Sequence, residues 1–271
     1  MPELPEVETT RNGIAPYILN NKIKSIILRR TDLRWPIPVE IKQVFAAQYI
    51  THLKRRGKYL LLQAKPGALI LHLGMSGALR IVKYGTLVNK HEHVDITFVD
   101  NICLRFTDPR RFGCLLWTTA DPLEHPLLKS LGVEPLSQAF NTDYLLQRTR
   151  KRKVSIKQLL MNNLVVVGIG NIYANEALFA AGIRPMRVAA TLTKSQCNSL
   201  VTSVKAILRR AIKASGTTIN DFTQSDGKPG YFQQKLHVYG RDEQGCSKCQ
   251  NSIRRIVIGG RSAFYCPQCQ Q

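Results

Sequence analysis

The sequence predicts an α+β protein: a β-rich amino-terminal half, a helical second half, and a small cysteine-rich hairpin that closes the chain. Three observations carry this. Short runs of strand-forming residues recur between Gly, Pro and Asn/Asp turn signals as far as Thr118, the pattern of an antiparallel sandwich or barrel. Beyond Ser130–Ser137, a stretch punctuated by Gly132 and Pro135 after Pro122 and Pro126, apolar residues recur at helical spacing. The chain then ends on Cys246-x2-Cys249-x16-Cys266-x2-Cys269. Residues 1–130, 131–234 and 235–271 are the expected divisions.

Taken in order, Pro5–Ile14 reads as an amphipathic helix closed by Asn12-Gly13. Strands are expected over Lys22–Arg29, Gln48–Lys54, Lys58–Ala64, Ala68–Leu73, Ala78–Lys83, His93–Val99, Ile102–Thr107 and Gly113–Thr118. Lys65-Pro66-Gly67, Gly74–Gly77 and Asp100-Asn101 supply the turns. Val39–Ala47 suits a short helix. In the second half, Thr142, Ser155 and Asn171 are placed to cap helices over Asp143–Lys151, Ile156–Asn162 and Ile172–Ala181. The longest helical pattern runs from Thr193 to Ala214 and stops at Ser215-Gly216; strands return from Lys235.

At 271 residues the chain makes one large domain or two ordinary ones. Thirty-nine Lys and Arg against 18 Asp and Glu give a formal net charge of +21, which points to a polyanionic partner, most simply nucleic acid. No apolar run reaches the roughly 18 residues of a membrane span, and the acidic start has no signal-peptide core. Two C-x2-C knuckles at this spacing suit a tetrahedral four-thiolate zinc site with no open position, hence a structural one. Cys103, Cys114 and Cys197 sit among apolar neighbours and read as buried thiols of a reducing compartment. One structural Zn2+, a cytoplasmic location and a monomer are expected.

The chemistry concentrates in short motifs. Met1-Pro2-Glu3-Leu4-Pro5-Glu6-Val7-Glu8 crowds three carboxylates at the start of a basic chain. Removal of Met1 leaves the secondary amine of Pro2; an α-amino group has a pKa of about 7.7–8.0 and is partly nucleophilic near neutrality. Glu3 stands beside it for proton transfer. A Pro-started, acid-rich helical turn is the plainer reading of the same residues. Lys54-Arg55-Arg56-Gly57-Lys58 is a basic run entering an apolar strand. His72-Leu73-Gly74-Met75-Ser76-Gly77 and Asp108-Pro109-Arg110-Arg111-Phe112-Gly113 are loops, the glycines of the first permitting a sharp turn that exposes Met75. Gly168-Ile169-Gly170 before a helix leaves backbone N–H groups free to hold a phosphate. A metal reading of His91 and His93 lacks a third ligand.

These motifs together resemble the bacterial formamidopyrimidine-DNA glycosylase family over essentially the whole chain. The opening Pro2–Glu8, His72–Gly77, Asp108–Gly113, the string Val167-Gly168-Ile169-Gly170-Asn171-Ile172-Tyr173-Ala174-Asn175-Glu176 and the segment Gly259–Cys266 carry the likeness. It implies an amino-terminal catalytic β-sandwich, a helix–two-turn–helix domain and a four-cysteine zinc finger. It further implies a bifunctional glycosylase and abasic-site lyase that excises oxidised purines, 8-oxoguanine and formamidopyrimidines, from double-stranded DNA in base excision repair. The implied catalytic residues are Pro2, Glu3, Lys58 and Arg261. Met75, Arg110 and Phe112 would fill the space left by an extruded nucleotide, Arg110 reading the orphaned cytosine. Glu6, His72, His91, Arg152, Lys157, Asn171 and Tyr239 complete the implied DNA contacts. Ser225–Phe232 resembles the family's loop over the extruded base, although Asn220 at its entry replaces a longer, often basic side chain. An endonuclease VIII-like enzyme acting on oxidised pyrimidines is the nearest rival, disfavoured by Leu4, Met75 and Asp108–Phe112. A non-catalytic zinc-ribbon DNA-binding protein is the rival from another class.

Overall fold

The computed structural model describes residues 2–214 and 236–271; Ser215-Gly216, Asn220 and the Ser225–Phe232 stretch lie outside them. The chain forms two compact units, one from the residues up to Lys129, the other from Ser130–Lys213 with the described carboxy-terminal residues.

The first unit opens with helix α1 (Leu4–Ile18). It runs past the expected stop at Asn12-Gly13 because Ile14 and Ile18 continue the buried stripe begun by Leu4 and Val7. Pro16 is tolerated in the last turn because it lies on the exposed side, where water can satisfy the carbonyl its missing N–H leaves open. Eight strands follow: β1 (Ile23–Leu28), β2 (His52–Arg56), β3 (Tyr59–Ala64), β4 (Gly67–His72), β5 (Ala78–Lys83), β6 (Glu92–Phe98), β7 (Ile102–Thr107) and β8 (Cys114–Thr118). The expected helix at Val39–Ala47 contracts to a single turn, α2 (Ile41–Val44).

The strands make two four-stranded antiparallel sheets, ordered β1-β6-β7-β5 and β2-β3-β4-β8. Leu60, Leu62, Leu69 and Leu71 of the second sheet share one core with Ile26, Ile96, Leu104 and Phe106 of the first and with Val7, Ile14 and Ile18 of α1. This is the sandwich. Inside the first sheet Arg105 donates to Asp95 at 2.9 Å and to Glu92 at 3.1 Å, while Arg29 donates to the other Asp95 oxygen. Burial pushes the Asp95 carboxyl up, but the hydrogen bonds and charges of both arginines outweigh it and hold the group below the usual carboxylate range.

The second unit holds α3 (Thr142–Thr149), α4 (Ile156–Leu160), α5 (Asn171–Ala180) and the 20-residue α6 (Lys194–Lys213). Ser155 caps α4 through a capping box with Gln158, as its sequence predicts. The other two caps shift by one residue. Asn141 accepts from Tyr144 N–H at 2.9 Å to cap α3, leaving Thr142 to donate to Asn198 at 2.9 Å. Gly170 takes the cap position of α5, so Asn171 becomes its first residue. Strands resume only at β9 (Arg254–Ile258) and β10 (Arg261–Tyr265), an antiparallel hairpin turned by Gly259 and Gly260 at φ of 55° and 73°. No helix among the described residues is long and apolar enough to cross a membrane.

Candidate active site

The amino terminus is fixed before any ligand is considered. Glu3 is the N-cap of α1, and its backbone N–H donates to Glu6 Oε2 at 2.8 Å in a reciprocal capping box. Both carboxylates are buried, Glu3 at 3% and Glu6 at 0% exposure. Two nearly inaccessible acids beside a positive helix terminus are a constrained arrangement, unlike a frayed end. Lys58 is buried as well. It is not the first strand residue, as the sequence suggests, but half of the two-residue turn Gly57-Lys58, because Arg56 pairs with Tyr59 and Gly57 takes φ of 57°.

His72 ends β4 opposite Tyr59, the two rings 4.7 Å apart. Its Nδ1 accepts from the Gly74 N–H at 3.0 Å, so the ring is neutral there and carries its proton on Nε2. Burial, with the positive charges of Lys58 and Arg34, lowers its pKa to about 4. A neutral ring that still donates suits an anionic oxygen without adding a charge.

The two loops are interlocked. A Cβ on Gly74, at φ of 65°, would lie 2.4 Å from Gly113 N and 2.5 Å from the Phe112 carbonyl carbon, so neither alanine nor anything larger fits. The fully buried Asp108 carboxylate joins them: Oδ1 accepts from Ser76 Oγ and Oδ2 from Gly113 N–H, both at 2.8 Å. Ser76 Oγ in turn accepts from Arg110 N–H at 3.2 Å. Asp108 N–H donates to the His91 carbonyl at 3.0 Å, and the Asp108 carbonyl is 2.8 Å from His93 Nε2. His91 therefore joins this cluster through its backbone. Held this way, Met75, Phe112, His72, Gly74 and Arg34 line a cavity of about 460 Å³. Arg110 lies over the Phe112 ring, 5.0 Å from its centre, a cation–π contact on an exposed loop. Asp108 and Arg34 are participants that sequence reasoning missed; the Asp108–Gly113 motif was visible, but a carboxylate's aim across two loops was not.

In the second unit, Lys157 and Asn171 converge on one atom. Lys157 Nζ donates to the Ser262 carbonyl at 2.6 Å and Asn171 Nδ2 donates to it at 3.0 Å. Lys157 is only 1% exposed, so it anchors the residue next to Arg261 instead of standing on the surface as a phosphate contact. Arg261 itself is exposed at the start of β10. Asn175 Oδ1 accepts from Phe264 N–H at 2.8 Å, fastening the same strand to α5. The buried Glu176 carboxylate accepts from the N–H groups of His237, Val238 and Tyr239, each at 2.9 Å, and Tyr239 packs edge-on to Phe264 at 5.2 Å. Arg152 is exposed on the turn after α3, bonded through its backbone to Thr149 and Ala190.

The four terminal cysteines meet as their spacing requires. Cys249 and Cys266 sulfurs are 3.4 Å apart, Cys246 and Cys269 sulfurs 3.9 Å, and all four lie within 4.8 Å of one another. Tetrahedral zinc with Zn–S of about 2.3 Å separates its sulfurs by about 3.8 Å, so the set fits one structural zinc. Lys248 and Cys269 N–H groups point at Cys246 and Cys266 sulfurs at 3.4 Å, as thiolate ligands need. The buried Gln270 bridges the Cys266 N–H and the Ile183 carbonyl, tying the knuckle to the helices. Cys103, Cys114 and Cys197 are buried.

Sandwich, helical unit and four-thiolate finger together define a two-unit α+β zinc-finger protein. Three family models match in chain order: the formamidopyrimidine-DNA glycosylase N-terminal domain over residues 1–115, that enzyme's H2TH domain over 131–223, and the zinc finger found in FPG and IleRS over 244–271. Formamidopyrimidine-DNA glycosylase of Pseudomonas aeruginosa (strain LESB58) is 52% identical over 271 residues, 100% of both chains. Among solved structures, the Lactococcus lactis enzyme with abasic-site DNA matches with a TM-score of 0.91 at 35% identity over 99% of each chain. A mutant of that enzyme bound to Fapy-dG-containing DNA matches at 0.92 and 33% identity over 100% of each. The chain belongs to the formamidopyrimidine-DNA glycosylase family.

Proposed function

We propose that this protein excises oxidised purines, 8-oxoguanine and formamidopyrimidines, from double-stranded DNA and then cleaves the strand as an abasic-site lyase. The observation that carries the reading is the interlocked loop pair, which presents Met75, Arg110 and Phe112 beside the neutral His72 at one cavity. Apolar wedges and a stacked arginine are what a protein needs to hold open a base step after a nucleotide has been extruded. The relatives' complexes with abasic-site and Fapy-dG DNA support the same assignment.

In this reading Met1 is removed and the Pro2 nitrogen attacks the sugar C1′ as the damaged base leaves with the glycosidic electron pair. Ring opening, with Glu3 exchanging the proton, gives an iminium between Pro2 and C1′. That cation accepts the electrons released when C2′ loses a proton and the 3′ phosphate departs; a second elimination expels the 5′ phosphate. Lys58 assists the first elimination and Arg261 the second. Glu6, His91, Arg152, Asn171 and Tyr239 are assigned to the DNA interface, and His72 to a lesion-strand phosphate through its Nε2 proton. Lys157 acts through Ser262. The work is assigned to the bacterial cytoplasm, and the protein to a monomer.

Borohydride trapping tests the reading. Mature protein should form a covalent complex with 8-oxoguanine duplex, and protein retaining Met1 should bind the duplex but not be trapped. Trapping at the normal rate with Met1 in place would assign the nucleophile elsewhere.

A further inference from the structure

Strand alternation divides the basic run Lys54-Arg55-Arg56. Lys54 and Arg56 pair with Leu61 and Tyr59, whereas Arg55 pairs with Leu60 and so lies on the face that carries the core. A buried arginine on a core face needs its donors satisfied. Arg55 Nε donates to Glu8 Oε2 at 2.7 Å and its NH1 donates to the Gly57 carbonyl at 2.9 Å. The side chains of Arg55 and Glu8 are 11% and 17% exposed, and the other Glu8 oxygen is held by Arg11 at 2.7 Å. Burial alone pushes the Glu8 carboxyl up; the hydrogen bonds from Arg11 and Arg55 overcome it and leave the group below its ordinary value.

One guanidinium thus grips the amino-terminal helix with one edge and the carbonyl immediately before Lys58 with another. We propose that Arg55, oriented by Glu8, is a positioning residue: it fixes the Gly57-Lys58 turn against α1 and so sets the reach between Lys58 and the Pro2–Glu3 terminus. The inference rests on the roles of Pro2, Glu3 and Lys58 proposed above. Glu8 lies five residues along from Glu3 in the sequence, about 7–8 Å on the helix axis, so the clamp closes close to the reacting end. Only arginine offers donors in two fixed directions; a lysine ammonium is a point charge on a flexible stem and holds one partner at a time without fixing the other.

The test is a cycle of wild type, Arg55→Lys, Lys58→Ala and the double variant. Each is assayed for single-turnover excision of 8-oxoguanine and for affinity to a duplex with a non-cleavable abasic analogue. Misplacement of a catalytic group by about 1 Å costs on the order of a hundredfold. Arg55→Lys is therefore expected to slow excision roughly ten- to hundredfold. Its affinity for the analogue should change less than about threefold, because the lost interaction is one made in the transition state. In the Lys58→Ala background the same substitution should add nothing, the non-additivity of residues that act as a unit. If Arg55→Lys fails to fold, Glu8→Gln takes its place in the cycle. Losses that multiply, or an Arg55→Lys protein at the wild-type rate, overturn the inference and leave Lys58's role standing. A fully active Lys58→Ala protein overturns both.

Discussion

Arg110 and Arg111 are neighbours with different circumstances. Arg111 takes φ of 58° and its guanidinium comes within 3.8 Å of Asp32, whereas Arg110 lies over Phe112 with its backbone N–H fixed by Ser76. Arg110 is therefore the residue held for reading a base. Arginine is donor-only; an orphaned cytosine offers acceptors at O2 and N3, while adenine sets its N6 donor beside N1. A correct pairing is worth about 1–3 kcal/mol, roughly five- to 150-fold. Arg110→Ala should lower excision opposite cytosine and flatten the cytosine-to-adenine ratio, measured on paired duplexes, while borohydride trapping at a bare abasic site persists. An unchanged ratio moves the partner reading to Arg111 or Phe112. His72 yields a second prediction. Its folded pKa of about 4 lies below the ordinary 6.5, so between those values the unfolded chain binds the proton that the folded chain refuses. The stability at stake is complete above pH 6.5 and is lost as pH falls toward 4. It amounts to about 3 kcal/mol at about 1.4 kcal/mol per unit. Denaturant titrations from pH 7 to 4 should show His72→Asn losing less stability than wild type over that window; parallel curves would mean the ring is protonated in the folded protein.

At the scale of elements, strands and the zinc knuckles were legible because their signals are local. Alternation and turn residues mark β3, β4, β5 and β7 almost to the residue, and C-x2-C spacing places all four sulfurs together. Errors arose where a long-range contact decided the outcome. Gly13 did not stop α1, because Ile14 and Ile18 had a core to reach. Asn171 looked like a cap and became an anchor, since its amide serves a carbonyl 91 residues away. Lys157 serves the same Ser262 carbonyl from 105 residues away; a backbone acceptor leaves no mark in the sequence, so nothing local separates a buried lysine from a solvated one. Asp108, Glu176 and Gln270 escaped notice for the same reason. What they share is a side chain holding backbone groups of another segment. The hairpin depends on both kinds of contact. Cys249→Ser should abolish zinc retention, measured by metal analysis, and free Arg261 from its fixed position, weakening lesion-duplex binding while the sandwich keeps its own unfolding transition. Full lesion binding by the zinc-free variant would remove the finger from the interface.

For the molecule as a whole, the surplus of 39 basic over 18 acidic side chains is the property to be tested. Part of the basic set is committed internally: Arg11 and Arg55 on Glu8, Arg29 and Arg105 on Asp95 and Glu92. These groups shape the sandwich and add little to its outer field. Each acid neutralised in this way still leaves the formal total at +21, so most of the excess faces solvent, where it draws in a polyanion and is screened by salt. If roughly six phosphates are neutralised on binding, log K should fall against log salt with a slope of about −5. A slope shallower than about −2 would detach the charge from the interface. The same titration separates two classes of arginine contact. Arg261→Ala removes a phosphate contact and should reduce the slope by about one across every duplex sequence. Arg110→Ala removes a base contact and should leave the slope in place while changing the preference for the opposite base. Equal slope changes in the two variants would put Arg110 on the phosphate backbone and take from it the reading of cytosine.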